Sequence, residues 1–172
     1  MAEVVDTDKG YRQILSSIGD LEDDPFVLVG VPEGAGASDD GTTLAVYAAA
    51  NEFGVPHDSV DKRIPERSFL RSATDENREF IATRLAKATD DQIMGKRKIG
   101  DSLGLLGDVM VGKVQAKIKS NIPPKNAEST IRQKGSGKLT LKNEGRLDQS
   151  ITRQVVAGGA QVQTLGLGPG GG

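Results

Sequence analysis

The chain has no cysteine and no tryptophan, and a single histidine, His57. Without cysteine there is no disulfide framework, no thiolate metal site and no thiol nucleophile; this fits a reducing compartment. One histidine excludes a histidine-based metal cluster. A Ser-His-Asp triad would have to use His57, which sits between Pro56 and Asp58 in a polar stretch. No Gly-x-Ser-x-Gly elbow accompanies it, because Gly135-Ser136-Gly137 reads as a glycine-serine turn. His57 therefore reads as a surface group. Aromatic residues make up 3% of the chain, so a core must rest on Leu, Ile, Val and Ala. No apolar run approaches the roughly 18 residues of a membrane span. The start, MAEVVDTDKG, has neither the basic nor the apolar region of a signal peptide, and none is expected.

Two partial motifs also fail. GSGK at Gly135–Lys138 would need a glycine where Arg132 stands, and Ser or Thr where Leu139 stands, to be a phosphate loop. SDDGTT at Ser38–Thr43 begins like a calcium loop, but Leu44 and Val46 occupy ligand positions. The acid pairs Asp23/Asp24, Asp39/Asp40 and Asp90/Asp91 read as solvated turns. No cofactor and no metal are expected, and nothing in the sequence supports an enzyme.

What is present is a charge asymmetry. Residues 1–95 hold 9 Lys/Arg against 19 Asp/Glu, and residues 96–146 hold 12 against 4. Such a division fits a contact surface, or solvated helix faces that pair with each other. It also admits a nucleic-acid-binding accessory protein that uses the basic segment 96–146. That segment has no Phe, Tyr or Trp on which a base could stack.

Hydrophobic periodicity gives the elements. Lys9–Ile18 reads as a short amphipathic helix with Tyr11, Ile14, Leu15 and Ile18 facing inward, ended by Gly19 and the acids Asp20–Asp24. Phe26–Val31 reads as a buried strand between Pro25 and Pro32, followed by a loop over Glu33–Gly41. Thr42–Glu52 is Ala-rich and reads as a helix, with a strand as the competing reading. A long helix is expected over Arg67–Ile93, with Phe69, Leu70, Ala73, Phe80, Ile81, Leu85 and Ala88 on its stripe. A second, from an Asp101 cap to Asn121, has Leu103, Leu106, Met110, Val114 and Ile118. Gly104, Gly107 and Gly112 each weaken it by about 1 kcal/mol relative to Ala, which suggests close packing there. Pro123 and Pro124 stop it. A short helix over Asn126–Lys134 follows, then strands over Lys138–Val156 around a turn at Gly145. The fold class is α+β: a small mixed or antiparallel sheet packed against two long helices, with flexible termini. The division is 1–41 as N-terminal helix, strand and acidic loop, 42–157 as α+β core and 158–172 as a flexible Gly-rich tail, one domain in all.

Between the Ala-rich segment and the first long helix stands NEFGVPHDSVDKRIPERSFLRSA, Asn51–Ala73. Its Phe53 and Phe69 are expected to clamp both ends of a contact loop onto one core. Glu52-Phe53-Gly54 followed by IPERSFLR, Ile64–Arg71, resembles the EFG and IPxRxFLR motifs of the small tail-completion, minor tail and neck proteins of tailed bacteriophages. IPPKNAESTIRQKG at Ile122–Gly135 is similar to the family's IPPxNxxxTIxxKG, and GRLDQSI at Gly145–Ile151 to its GxLxxSI. The resemblance covers Thr42–Val156. Val55 stands where many members have Thr, and Asn143-Glu144-Gly145 where they have Asp-Thr-Gly. GxLxxSI follows EFG here, whereas it precedes EFG in the lambdoid tail-completion proteins; the order resembles that in Mu-like and other myophage or siphophage clusters, so tail completion, tail terminator and head-closure ring all stay open.

The resemblance implies a non-enzymatic virion subunit at the head–tail junction or tail, assembled in the bacterial cytoplasm. Its partners would be itself, as a hexameric or dodecameric ring, and neighbouring neck, portal-adaptor or tail-tube proteins. Packaged DNA would be a passive contact and no membrane is involved. The candidate interface residues are Phe53, Gly54, Arg67 and Arg71 around the loop, and Gly145, Arg146 and Leu147 at the turn.

Overall fold

The computed structural model describes residues 10–38, 41–55, 64–128, 131–132, 140–141, 146–157 and 160–162. Helix α1 spans Tyr11–Glu22 and strand β1 Phe26–Gly30. The acids Asp20–Asp24 do not end α1 at Ile18; it runs on to Glu22, and the chain turns at Asp24, whose φ is 46°. Helix α2, Leu44–Phe53, is capped by Thr43, whose hydroxyl oxygen accepts from the Val46 N–H at 3.4 Å. The Ala-rich segment is thus a helix and not a strand.

The single helix expected over Arg67–Ile93 is two, α3 at Leu70–Asp75 and α4 at Arg78–Ile93. They part at Asn77, where φ is −118° and the side-chain amide donates to the Ala73 carbonyl at 2.7 Å. That local bond competes with continued helix. Helix α5, Ile99–Lys119, starts before the expected Asp101, because Gln92 Oε1 accepts from the Ile99 N–H at 2.7 Å. Asp101 lies in the first turn and Lys117 and Lys119 in the last, both favourable to the helix dipole. The expected stripe Leu103, Leu106, Met110, Val114 and Ile118 is buried throughout.

Strand β2 spans Thr152–Ala157 and β3 Ala160–Val162. The sheet is antiparallel in the order β1-β2-β3, with Phe26 opposite Val156, Gly30 opposite Thr152 and Val155 opposite Val162. The tail expected to begin at 158 therefore opens with a paired strand. β1, from the N-terminal region, pairs directly with β2, so the N-terminal region and the core share one sheet. Among the described residues β1 lies at the edge of the sheet, and it is half-buried rather than buried. Its residues alternate, Val27 and Val29 packing into the two cores while Phe26 and Leu28 stay about half exposed on the other face.

Both β1 and β2 lie against α5, and α4 packs along α5, so the architecture is α+β with one layer of helices on the sheet. Gly107 makes this approach possible. A Cβ there would lie 2.6 Å from Arg153 Cδ and 2.8 Å from Val27 Cγ2, and one on Gly104 would lie 3.4 Å from Arg153 Nη1. At these two glycines the close neighbours are the Arg153 and Val27 side chains, not another backbone. Gly112 has open space around it.

The segment expected as strand and turn holds helix α6, Arg146–Ser150, directly before β2. Leu147 and Ile151 are four residues apart, one helical turn, and both are buried with Phe69, Ala73, Val114, Ile118 and Leu141 in the main core. Within the expected helix at Asn126–Lys134, Glu128, Ile131 and Arg132 are helical, and the Ile131 N–H donates to the Ala127 carbonyl at 2.9 Å. Gly145 and most of the strand stretch expected to lead into it from Lys138 lie outside the described residues. A second core joins Ala88, Ile99, Leu103 and Val155.

Candidate functional site

The stretch around the contact loop is organised by Glu52. It ends α2 almost wholly buried, at 2% exposure. One carboxylate oxygen accepts from the backbone N–H groups of Phe69 at 2.8 Å and Leu70 at 2.9 Å. The other accepts from the Arg71 N–H at 3.0 Å, the Ser68 hydroxyl at 2.7 Å and Arg71 Nε at 3.2 Å. The N–H groups at a helix start have no partner within the helix. Here a carboxylate from another helix supplies it and completes the favourable dipole interaction. Burial pushes the Glu52 pKa up. The hydrogen bonds from Arg71, Leu70, Ser68 and Phe69 outweigh it, and Glu52 settles below its ordinary value.

Arg71 extends the network. Its Nη2 donates to the Glu52 carbonyl at 3.0 Å and to Glu66 Oε1 at 2.7 Å, and its guanidinium carbon lies 5.1 Å from the centre of the Phe53 ring. Gly54 takes φ 73°, and a Cβ there would lie 2.9 Å from the Glu66 backbone nitrogen. The Val55 N–H donates to the Ile64 carbonyl at 2.8 Å. These contacts close the neck of the loop; residues 56–63, with His57, lie outside the described residues.

Arg67 is buried rather than displayed. Its backbone N–H donates to the Asn51 carbonyl at 2.7 Å, and its Nε donates to the Pro124 carbonyl at 3.0 Å. Burial lowers its pKa from the ordinary arginine value, partly offset by Tyr47. It ties the EFG neck to the IPP turn 57 residues on.

The candidate interface residues thus divide. Phe53, at 66% exposure, and Arg71 stand at the surface beside Gly54. Arg146 is exposed, and its Nη1 donates to the Ala37 carbonyl at 3.2 Å. Arg67 and Leu147 are buried within the subunit, the first by its carbonyl partners and the second by the core, so neither offers a side chain to a neighbour in this structure. The expected clamp by two phenylalanines is half present: Phe69 fills the core, whereas Phe53 lies outside it under Arg71. Glu52, which holds the motif together, carries no sign of that role in the sequence.

A larger surprise is α1. Gln13, Ser17, Asp20 and Leu21 face the body. Ser17 is buried, Gln13 covers Gly95, Asp20 accepts from Gln92 Nε2 at 2.8 Å and Leu21 packs on the second core. Tyr11, Ile14, Leu15 and Ile18, expected inside, lie on the adjoining face and are 41–67% exposed. The amphipathic helix meets the body through Gln13, Ser17 and Asp20 together with Leu21, and not through its apolar stripe.

An open cleft of about 770 Å³ lies at the start of α5, with Asp20, Arg97, Lys98, Asp101, Asp108 and Arg153 among its walls. Asp108 is occupied, its Oδ2 accepting from Arg153 Nη2 at 3.1 Å. Among the described residues no three His, Asp or Glu side chains are grouped to hold a metal ion. No helix among them is long and apolar enough to cross a membrane. No family model, curated protein or solved structure matches the chain.

Proposed function

We propose that the chain is a structural subunit that assembles into a ring at the head–tail junction of a tailed bacteriophage. The observation that carries this reading is the outward apolar stripe of α1. Four large side chains on one helix face are held in water by a helix that docks through Gln13, Ser17, Asp20 and Leu21. Isolated exposed apolar residues are ordinary, but a contiguous stripe marks a surface that another protein covers. The phage station comes from the resemblance of Glu52–Arg71, Ile122–Gly135 and Gly145–Ile151 to the tail-completion and neck proteins. The bonds among Glu52, Arg67, Arg71 and Pro124 give those motifs a physical purpose, which is to hold the contact loop on a rigid neck.

The basic segment fits this reading better than it fits a nucleic-acid binder. Lys113 lies over Phe80, Lys117 pairs with Glu76, and Lys119 Nζ lies 3.4 Å from Asp148 Oδ2. These lysines are engaged within the subunit. Electron micrographs of the purified chain, with a duplex-DNA mobility assay beside them, test the choice. Rings with a central hole and weak DNA binding are expected. Tight, steeply salt-dependent DNA binding by single chains would replace this reading with the accessory-protein one.

A further inference from the structure

Helix α1 presents a stripe, and the same chain presents a groove that fits it. The groove runs between α4 and α5, and Phe80, Ala88, Leu105, Leu106 and Val109 supply its apolar lining. Leu105 and Val109 are 53% and 45% exposed at its edge. They lie on the outer side of α5, away from the sheet. Gly112, one turn further along that side, has nothing within contact distance of a Cβ, so a second helix backbone could approach closely there. Tyr11 to Ile18 and Leu105 to Gly112 cover the same number of residues, about 10 Å of helix in each case.

The charges beside the two surfaces are opposed. After the stripe, α1 and its turn carry Asp20, Glu22, Asp23 and Asp24, against Arg12 at its start. The groove is lined by Arg84, Lys87 and Arg97, with Lys113 over Phe80 beside it, against Asp91, which is held by Lys87 at 2.8 Å, and Glu76 and Glu79 in the adjoining cleft, of which Glu76 pairs with Lys117. Arg84 and Lys113 both lie over the Phe80 ring, at 5.2 and 5.0 Å. They form a cationic rim on an apolar floor.

We infer that the occupant of the α4–α5 groove is helix α1 of a second copy of this chain. This rests on the self-assembling reading above and names the contact that would build it. Within one chain α1 is docked at Gly95 and Gln92 through Gln13 and Asp20, so the pairing is between copies. Stripe and groove are different patches, so the contact is heterologous. Each subunit keeps one free stripe and one free groove until a ring closes. Apolar helix anchors in a groove, with opposed charges at the rim, are an established mode of helix recognition.

The absence of cysteine makes the test clean. Two full-length variants, Leu15→Cys and Leu105→Cys, are mixed and oxidised, with Leu15→Cys and Val46→Cys as the control pair. Two further variants, Leu15→Asp and Leu105→Asp, are sized alone and mixed by sedimentation, with circular dichroism as the check on folding. The 15–105 pair is expected to form the inter-chain disulfide and the control pair not. Each Asp variant alone is expected to self-associate on the order of a hundredfold more weakly, the loss typical of a central anchor. Mixed, the two restore a two-chain complex and nothing larger, because one intact stripe meets one intact groove. A discrete ring that forms no 15–105 disulfide and tolerates both Asp substitutions overturns this pairing and leaves the ring. A 15–15 disulfide in place of 15–105 overturns it in favour of a two-fold contact. A monomer at every concentration overturns the pairing and the self-assembling reading together.

Discussion

At the scale of single residues, the chain is organised around a buried carboxylate. Glu52 receives three backbone N–H groups and two side-chain donors, and a neutral amide cannot accept them all. Glu52→Gln should destabilise the fold by about 3 kcal/mol, since hydrogen bonds to a charged group are among the stronger ones. Chemical denaturation of the two proteins measures this. The pH dependence has a definite sign. The folded pKa of Glu52 is below its ordinary value of 4.5. Its contribution is therefore complete above that pH and is lost as the pH falls through the folded value. Unfolding midpoints taken from pH 7 downward should fall more steeply in the native chain than in Glu52→Gln. Arg67→Ala should cost about 2 to 4 kcal/mol, because it leaves the Pro124 carbonyl without its donor and a cavity in its place. Phe53→Ala should change stability by less than about 1 kcal/mol, because the ring is largely exposed. Any loss of assembly in that variant would then belong to the surface. The EFG and IPxRxFLR strings are legible in the sequence, but the Glu52 bond to a helix start 17 residues later is not. A tertiary cap leaves no spacing in the sequence from which to read it.

At the scale of elements, the glycines of α5 separate two effects. Gly107→Ala forces Arg153 or Val27 to move and should destabilise by about 1 to 3 kcal/mol. Gly112→Ala meets open space and should stabilise the isolated chain by up to about 1 kcal/mol through helix propensity. Thermal unfolding of the two variants at low protein concentration distinguishes them. α5 is readable because its stripe runs over about four turns and every member is buried. α6 reads as strand because Ser150, Ile151 and Thr152 favour strand, while the signal that matters is the four-residue spacing of Leu147 and Ile151. The break at Asn77 turns on one side-chain bond to Ala73, too local to outweigh an apolar pattern running through it. For α1 the apolar stripe is legible and its direction is not. A periodic pattern says which residues share a face, and only the packing around Gly95 and Gln92 says which face the body takes.

At the scale of the molecule, the acidic and basic parts of the chain are partly joined within the subunit. Lys117 with Glu76 joins the two parts, Lys87 with Asp91 pairs charges within the acidic part, and Arg153, beyond the basic segment, pairs with Asp108. Exposed pairs of this kind contribute little to stability. What they leave is an acidic stretch after the α1 stripe and a cationic rim on the α4–α5 groove. Association between copies should therefore weaken as salt is raised from 0.05 to about 0.5 M, where the Debye length shrinks to a few ångströms. If the subunit completes its burial by assembling with itself, its mass in solution must show it. Light scattering on the purified chain across a range of concentrations reads that mass. A discrete closed oligomer is expected, with a mass that stops growing as concentration rises. A single-chain mass at every concentration would contradict self-assembly.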